Sequence, residues 1–349
     1  MHKGVRVRGR RFFRAAVLWT VRGAAGLLVL LIALASAGAV YQHFATESEA
    51  TRFRPNGQMV EIEGRQARIH CLGRGAPTVI LEPGLGLPSL VWAWVQPELA
   101  GTSRVCVYDR AGYGWSDPSD APADAANTSR QLYALLNAAD IPGPYVLVGH
   151  SIGGAYVRMF AAEHPQAVAA LVLIDGSSAV GVDWSNFPKP STLWRAATPY
   201  FATLGGVRAL LALGGIANFW RDLPPEDGAA VKALISSPKH IEAVIKERDS
   251  LFDTLKQIGT LGNLGSLPLA VIYSEQVARP DPHARGMNAN KAATLAQTIE
   301  KQKRAWLDTS TNSRFLIIPG SDHISVLTKE EHARALAHAI MDTVESLKR

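Results

Sequence analysis

From Tyr145 to Tyr156 the chain reads YVLVGHSIGGAY, and no other stretch restricts its fold as tightly. Tyr145 to Val148 is short, apolar and β-prone, while Ala155 to Ala162 continues in helix-forming residues. A strand must therefore turn sharply into a helix. Backbone in such a turn is strained, and Gly149 and Gly153 leave room for the serine between them, Ser151, to project. Gly149-His150-Ser151-Ile152-Gly153 fits G-x-S-x-G, the pattern of a serine nucleophile raised on a strand-to-helix elbow. The helix that follows presents its N-terminus, with the free backbone N–H of Ile152, to the reacting atom, where developing negative charge is stabilised. Without its flanks the pentapeptide is an ordinary glycine-rich turn; the strand before it and the helix after it give it chemical meaning.

The elbow resembles that of the α/β-hydrolase superfamily, and the resemblance extends from about Met59 to the C-terminus. EPGLG at Glu82 to Gly86 is similar to the family's oxyanion loop after the third strand. YDRAGYGWS at Tyr108 to Ser116 is similar to the loop after the fourth strand, and GSDHI at Gly320 to Ile324 to the histidine loop after the last. These ordered landmarks imply an α/β fold, a doubly wound, mostly parallel eight-stranded sheet with an inserted helical cap. They imply no particular substrate, since one fold hosts many chemistries.

Periodicity supports that order. Met59 to Ile62, a Glu63-Gly64 turn and Arg65 to Cys71 read as an opening hairpin, followed by strands at Thr78 to Leu81, Arg104 to Tyr108 and Ala169 to Ile174. A helix is expected over Ser89 to Leu99, and another over Ser129 to Ala139 with Asn127 or Thr128 as its cap. The next strand begins near Leu269, which leaves about 177–265 for the cap, too long a segment for a plain loop. Trp184, Phe187, Trp194, Tyr200, Phe201, Phe219 and Trp220 would give the pocket an apolar roof; most are expected to pack the cap onto the sheet, with a few left to meet the substrate. A helix from about Asn288 to Thr309 leads to the last strand, Arg314 to Ile318, and Thr328 with Glu331 reads as a capping box for the final helix.

Ahead of this region lies a different kind of sequence. Gly23 to Tyr41 carries no charge, and 19 residues at 1.5 Å each rise about 28 Å, close to the hydrocarbon thickness of a bilayer. The reading is a basic cytoplasmic segment at 1–22, a transmembrane anchor at 23–41, a polar linker at 42–57 and the hydrolase-like domain at 58–349. Ala35-Ser36-Ala37 also resembles a signal-peptidase site, so secretion after cleavage is the alternative; the length of the apolar run favours the anchor. Seven of the basic residues precede Glu47, which places the N-terminus in the cytoplasm and the domain outside it. The net charge of +6 comes from this segment; beyond it 29 basic residues face 30 acidic ones, and no basic face for nucleic acid is evident. The two cysteines, Cys71 and Cys106, fall on the second and fourth strands if the family's strand order applies, neighbours that either form a disulfide or remain buried thiols; free thiols are the expectation.

A serine at neutral pH needs a base, a group to orient that base, and donors for an oxyanion. His323, in the turn after the last strand, is the candidate base. His70 lies in a strand, His164 ends the elbow helix, His332 and His338 belong to the final helix, and His150 is assigned to packing or pocket lining. The family's acid usually stands three residues past a glycine after the seventh strand, where this chain has Ser274 and then Val277. Asp175, at the end of the sixth strand, is the preferred acid; Asp281 is the alternative, with Glu275 behind it. The oxyanion donors implied by the resemblance are the N–H groups of Leu85 and Ile152, with Pro83 replacing the family's usual histidine. No metal or cofactor is expected, since H-E-x-x-H, a clustered Cys/His set and G-x-x-x-x-G-K-[ST] are all missing from the sequence. The expected function is a membrane-anchored serine hydrolase acting on carboxylic esters or related small acyl substrates through an acyl-enzyme. The alternatives are a non-catalytic relative binding an apolar ligand or partner, and a peptidase or C–C hydrolase with the same machinery.

Overall fold

The structure is a computed structural model that describes residues 3–179, 191–214, 218–279 and 288–348, without the side chains of 3–16, 289 and 292. Eight strands form one sheet: β1 Gln58–Ile62, β2 Arg65–Leu72, β3 Thr78–Glu82, β4 Val105–Tyr108, β5 Tyr145–His150, β6 Val168–Ile174, β7 Leu269–Ser274 and β8 Ser313–Ile318. Their order is β1-β2-β4-β3-β5-β6-β7-β8, antiparallel over the β1-β2-β4 edge and parallel thereafter.

The first helix, α1, runs Lys3–Arg52, and α2 spans Val95–Ala100. Two helices, α3 Ala125–Ala138 and α4 Gly153–Glu163, cover one face of the sheet. The cap contributes α5 Thr192–Thr203, α6 Gly206–Ala212, α7 Pro225–Ile235, α8 Pro238–Asp249 and α9 Leu251–Gly259. After β7 come α10 Glu275–Ala278 and α11 Ala289–Leu307, then α12 Ser325–Thr328 and α13 Glu330–Ser346 after β8.

Strand residues alternate between faces, so Val79 and Leu81 pack with Trp92, Leu336 and Ile340, while Ile80 packs with Leu132, Leu147 and Phe160. Both faces are covered, which explains why β5 and β6 read as continuous apolar runs.

Several expectations need correction. Cys71 and Cys106 are register partners on β2 and β4 and form a disulfide; their Cα atoms are 4.0 Å apart. The polar linker is helix as far as Arg52, because that part of α1 docks on the cap: Gln42 Nε2 donates to the Ser236 carbonyl at 3.2 Å, and Arg208 Nη2 donates to Glu49 at 2.8 Å. Asp124 caps α3, accepting from the Asn127 N–H at 2.9 Å; its carboxylate lies one turn ahead of Asn127 and Thr128, which sit inside the helix. Ser89 to Leu99 is broken into a short 3₁₀ turn, Ser89–Trp92, and α2; Asp109 fixes the start of the turn by accepting from both the N–H and the hydroxyl of Ser89. Thr328 closes α12, with its hydroxyl bonded to the Ile324 carbonyl at 3.3 Å, so no capping box forms with Glu331.

Candidate active site

The elbow is as strained as its sequence demands. Ser151 has φ of 55°, a left-handed conformation unusual for a residue with a side chain. A Cβ on Gly149 would come within 2.6 Å of the Gly153 carbonyl oxygen, and one on Gly153 within 2.7 Å of the carbonyl oxygens of Glu82 and Pro83. No larger residue fits at either place. The turn is fastened to the sheet by the Ser151 N–H, which donates to the Ile174 carbonyl at 2.9 Å.

His323 arrives from the loop after β8 with its Nε2 3.1 Å from Ser151 Oγ and its Nδ1 3.2 Å from Asp175 Oδ2. Asp175, at the end of β6 and beside the elbow, is nearly fully buried and also has a left-handed φ, 46°. Its Oδ1 accepts from the Ser274 N–H at 2.8 Å and its Oδ2 from the Ser274 hydroxyl at 2.7 Å. A carboxylate against Nδ1 favours the tautomer protonated there, leaving Nε2 free to accept from Ser151. Of the other acids considered, Glu275 turns away to accept from the Gly320 N–H at 2.7 Å, and Asp281 lies outside the described residues. Val277 lines the cavity beside Ser151, a space of about 330 Å³ shared with Gly176, Ser177, Leu255 and Tyr273.

Two partners of this arrangement escape a reading of the sequence. Ser274, at the family's glycine position, supplies two donors to Asp175. His150 is buried, and its Nε2 lies 2.8 Å from the His323 carbonyl, tying the elbow to the histidine loop. Burial, with the neighbouring His323, pushes His150 down to about 3, so it is neutral and donates from Nε2. Its Nδ1 has no partner among the described residues and faces Gly84. Donor atoms from His150, Asp175 and His323, one from each, lie within 4.8 Å of one another, close enough to hold a cation, but every ring nitrogen and carboxylate oxygen of the three except His150 Nδ1 is engaged in the bonds just described.

The loop after β3 is held by a buried guanidinium. Arg110 Nη1 donates to the Pro83 carbonyl and Nη2 to the Gly84 carbonyl, each at 2.8 Å. Because a trans peptide points its C=O and N–H in opposite directions, the Gly84 carbonyl on Arg110 turns the Leu85 N–H the other way. Gly84 itself is close to the elbow, since a Cβ there would sit 3.1 Å from Ser151 Cβ. Among the described residues neither the Leu85 nor the Ile152 N–H donates to a protein group. Arg110 therefore does for the loop what a side chain at Pro83 cannot.

The same arginine pairs with Glu82 and with Glu247 of α8, while Tyr108 donates to Glu82 and Tyr113 and Tyr156 donate to Glu247. Burial raises Glu82 to about 7, partly offset by Arg110 and Tyr108. The cap is thus joined through Arg110 to the loop beside the elbow.

None of the described cap aromatics roofs the cavity beside Ser151, so the few expected to meet the substrate are not among them. Trp184 and Phe187 lie outside the described residues, and Trp194, Tyr200, Phe201, Phe219 and Trp220 do not line the cavity holding Ser151. Phe219 and Trp220 pack the cap against Leu90 and Trp94, and Tyr200 and Phe201 face outward.

Comparison with known proteins agrees with this architecture. Residues 77–209 match the model of the alpha/beta hydrolase fold family. An esterase from Thermogutta terrifontis superposes with a TM-score of 0.56 at 20% identity, over 84% of this chain and 99% of its own. A putative epoxide hydrolase from Pseudomonas aeruginosa gives 0.58 at 18%, over 84% and 97%. The chain thus has the α/β-hydrolase fold. Among curated proteins, an uncharacterized protein of Schizosaccharomyces pombe is 45% identical over 84 residues, 24% of this chain and 16% of that one. The 2-hydroxy-6-oxononadienedioate/2-hydroxy-6-oxononatrienedioate hydrolase of Cupriavidus pinatubonensis is 35% identical over 140 residues, 38% of this chain and 47% of that one. The chain thus matches less than half the length of either relative.

Proposed function

We propose that this chain is a membrane-anchored serine hydrolase that cleaves carboxylic esters or related acyl compounds. The observation that carries the reading is the run of contacts from Ser151 Oγ through His323 to Asp175. Ser151 loses its proton to His323 Nε2 as Oγ bonds to the acyl carbon, and the N–H groups of Ile152 and Leu85 hold the oxyanion. Asp175 stabilises the imidazolium. His323 then returns the proton to the leaving alkoxide, and water, deprotonated by the same imidazole, releases the acid and frees Ser151.

A serine at the elbow favours this chemistry over that of epoxide hydrolases and dehalogenases in this fold, which use an elbow aspartate. The hydrolase from Cupriavidus lends support to hydrolysis without naming the substrate.

The membrane half of the proposal rests on α1, of which Val17–Arg52 is long and apolar enough to cross a bilayer, with none of its apolar window buried in the protein. The Cys71–Cys106 disulfide fits a domain on the oxidising side, opposite the basic N-terminal segment. A panel of p-nitrophenyl esters of rising chain length, assayed with the full chain and with Ser151→Ala, tests the activity. Turnover that vanishes in the variant supports the proposal; turnover equal in both removes it.

A further inference from the structure

The cap's outermost helices carry a surface that the proposed reaction does not use. Along α5, Leu193, Ala196, Ala197, Tyr200 and Leu204 fall at intervals of three and four, the spacing of one helix face, and all five are exposed. Leu193 is 78% exposed and Tyr200 73%; Leu213, just past α6, is 84% exposed. The opposite side of α5 is the one that packs: Arg195 pairs with Asp249 at 2.8 Å, and Arg248 lies over the Trp194 ring. From Thr192 to Gly214 there is no acidic residue, and the two arginines, Arg195 and Arg208, are both paired. A helix pair whose apolar side faces outward in this way is unsuited to water.

Its position supplies the occupant. The turn between α5 and α6 touches α1 at Gly38, where an added Cβ would meet the Leu204 carbonyl oxygen at 2.3 Å. Only glycine permits so close an approach. Gly38 stands three residues before Tyr41, the end of the apolar run that Gln42 closes, so the contact falls about 4.5 Å inside that end. If α1 crosses the membrane, the α5–α6 turn is at the depth where headgroups meet acyl chains, the level at which amphipathic helices embed an apolar face by about 5–10 Å. The clamp of Arg208 on Glu49 and Gln42 holds the cap at this height.

We infer that the α5–α6 hairpin is a lipid-docking surface, its outward face seated in the leaflet on the domain's side of the membrane that α1 crosses. The inference rests on the membrane reading of α1. It also makes the substrate class narrower: the cap is a fixture of the bilayer surface, which suits acyl compounds that reside in the bilayer.

The test uses the full chain in phosphatidylcholine vesicles, with spin-labelled lipid carrying the label either high or deep in the acyl region. The native cysteines being joined, a single cysteine labelled with nitrobenzoxadiazole is placed at Tyr200→Cys, with Leu30→Cys in the middle of α1 and Glu345→Cys on α13 as references. The inference predicts blue-shifted emission at position 200 and roughly a twofold loss of it with the shallow quencher, with position 30 quenched by the deep one and position 345 by neither. Quenching at 30 but not at 200 overturns the docking surface and leaves the anchor standing. No quenching at 30 or 200 removes the anchor and the docking together. Blue-shifted but unquenched emission at 200 assigns the face to a second copy of this chain and overturns the lipid reading.

Discussion

Replacing Asp175 by asparagine changes few atoms and should disable the site. The carboxylate meets three donors: the Ser274 N–H on Oδ1, and the Ser274 hydroxyl and His323 Nδ1 on Oδ2. An amide has one accepting end. If its oxygen takes the Oδ1 place, the NH₂ faces His323 and selects the tautomer with the proton on Nε2, which cannot accept from Ser151. If the amide is reversed, its NH₂ opposes the Ser274 N–H, a buried conflict that costs about 1–3 kcal/mol. The wrong tautomer and the lost charge together should lower kcat by about 10⁴, or roughly 5.5 kcal/mol of barrier. Ser274→Ala removes one of the three donors and keeps the His323 contact, so about a tenfold loss is expected. Steady-state hydrolysis of a p-nitrophenyl ester, with folding checked by circular dichroism, measures both. If Asp175→Asn retains more than a tenth of wild-type kcat, Asp175 is not the acid and its role reduces to bracing the β6–β7 edge.

Ser151→Ala, His323→Ala and the double variant should fall to nearly the same floor, because the residues act as one unit; a double variant far below either single would show independent contributions. Glu82 is held protonated in the folded state up to about pH 7, against 4.5 when exposed, so folding retains the extra proton between those values and stability declines as pH rises through the window, by about 3 kcal/mol. Urea midpoints across that range should slope downward for the wild type and lose the slope in Glu82→Gln; an unchanged slope would place the titration elsewhere. A phosphatase fused after Arg349 should be active outside the cytoplasm, and activity confined to a cytoplasmic reporter would reverse the orientation.

What a reader of the sequence could see was governed by how local the cause was. The elbow is legible because its glycines answer to backbone atoms within a few residues and to one adjacent loop, and the strands are legible because both faces of the sheet are covered. Asp175 is preferred because Val277 stands at the usual acid position and Asp175 ends the strand beside the elbow; the two donors from Ser274 that orient it come from another strand. Arg110 is one letter of a loop motif, yet it organises the loop after β3 through partners contributed by β3 and by α8. The helical form of residues 42–52 is hidden for the same reason: they are largely polar, and it is the cap packed against Gln42 and Glu49 that holds them as helix. The disulfide follows from a register that places Cys71 opposite Cys106, and residue composition does not encode register.

The proposed mechanism stands or falls with the nucleophilicity of Ser151. Treating the full chain with a fluorophosphonate and mapping the adduct by mass spectrometry tests it directly. A single adduct on Ser151, absent in Ser151→Ala and greatly slowed in His323→Ala, is the predicted result. A protein that stays unlabelled, or that labels equally well without Ser151, would contradict the account.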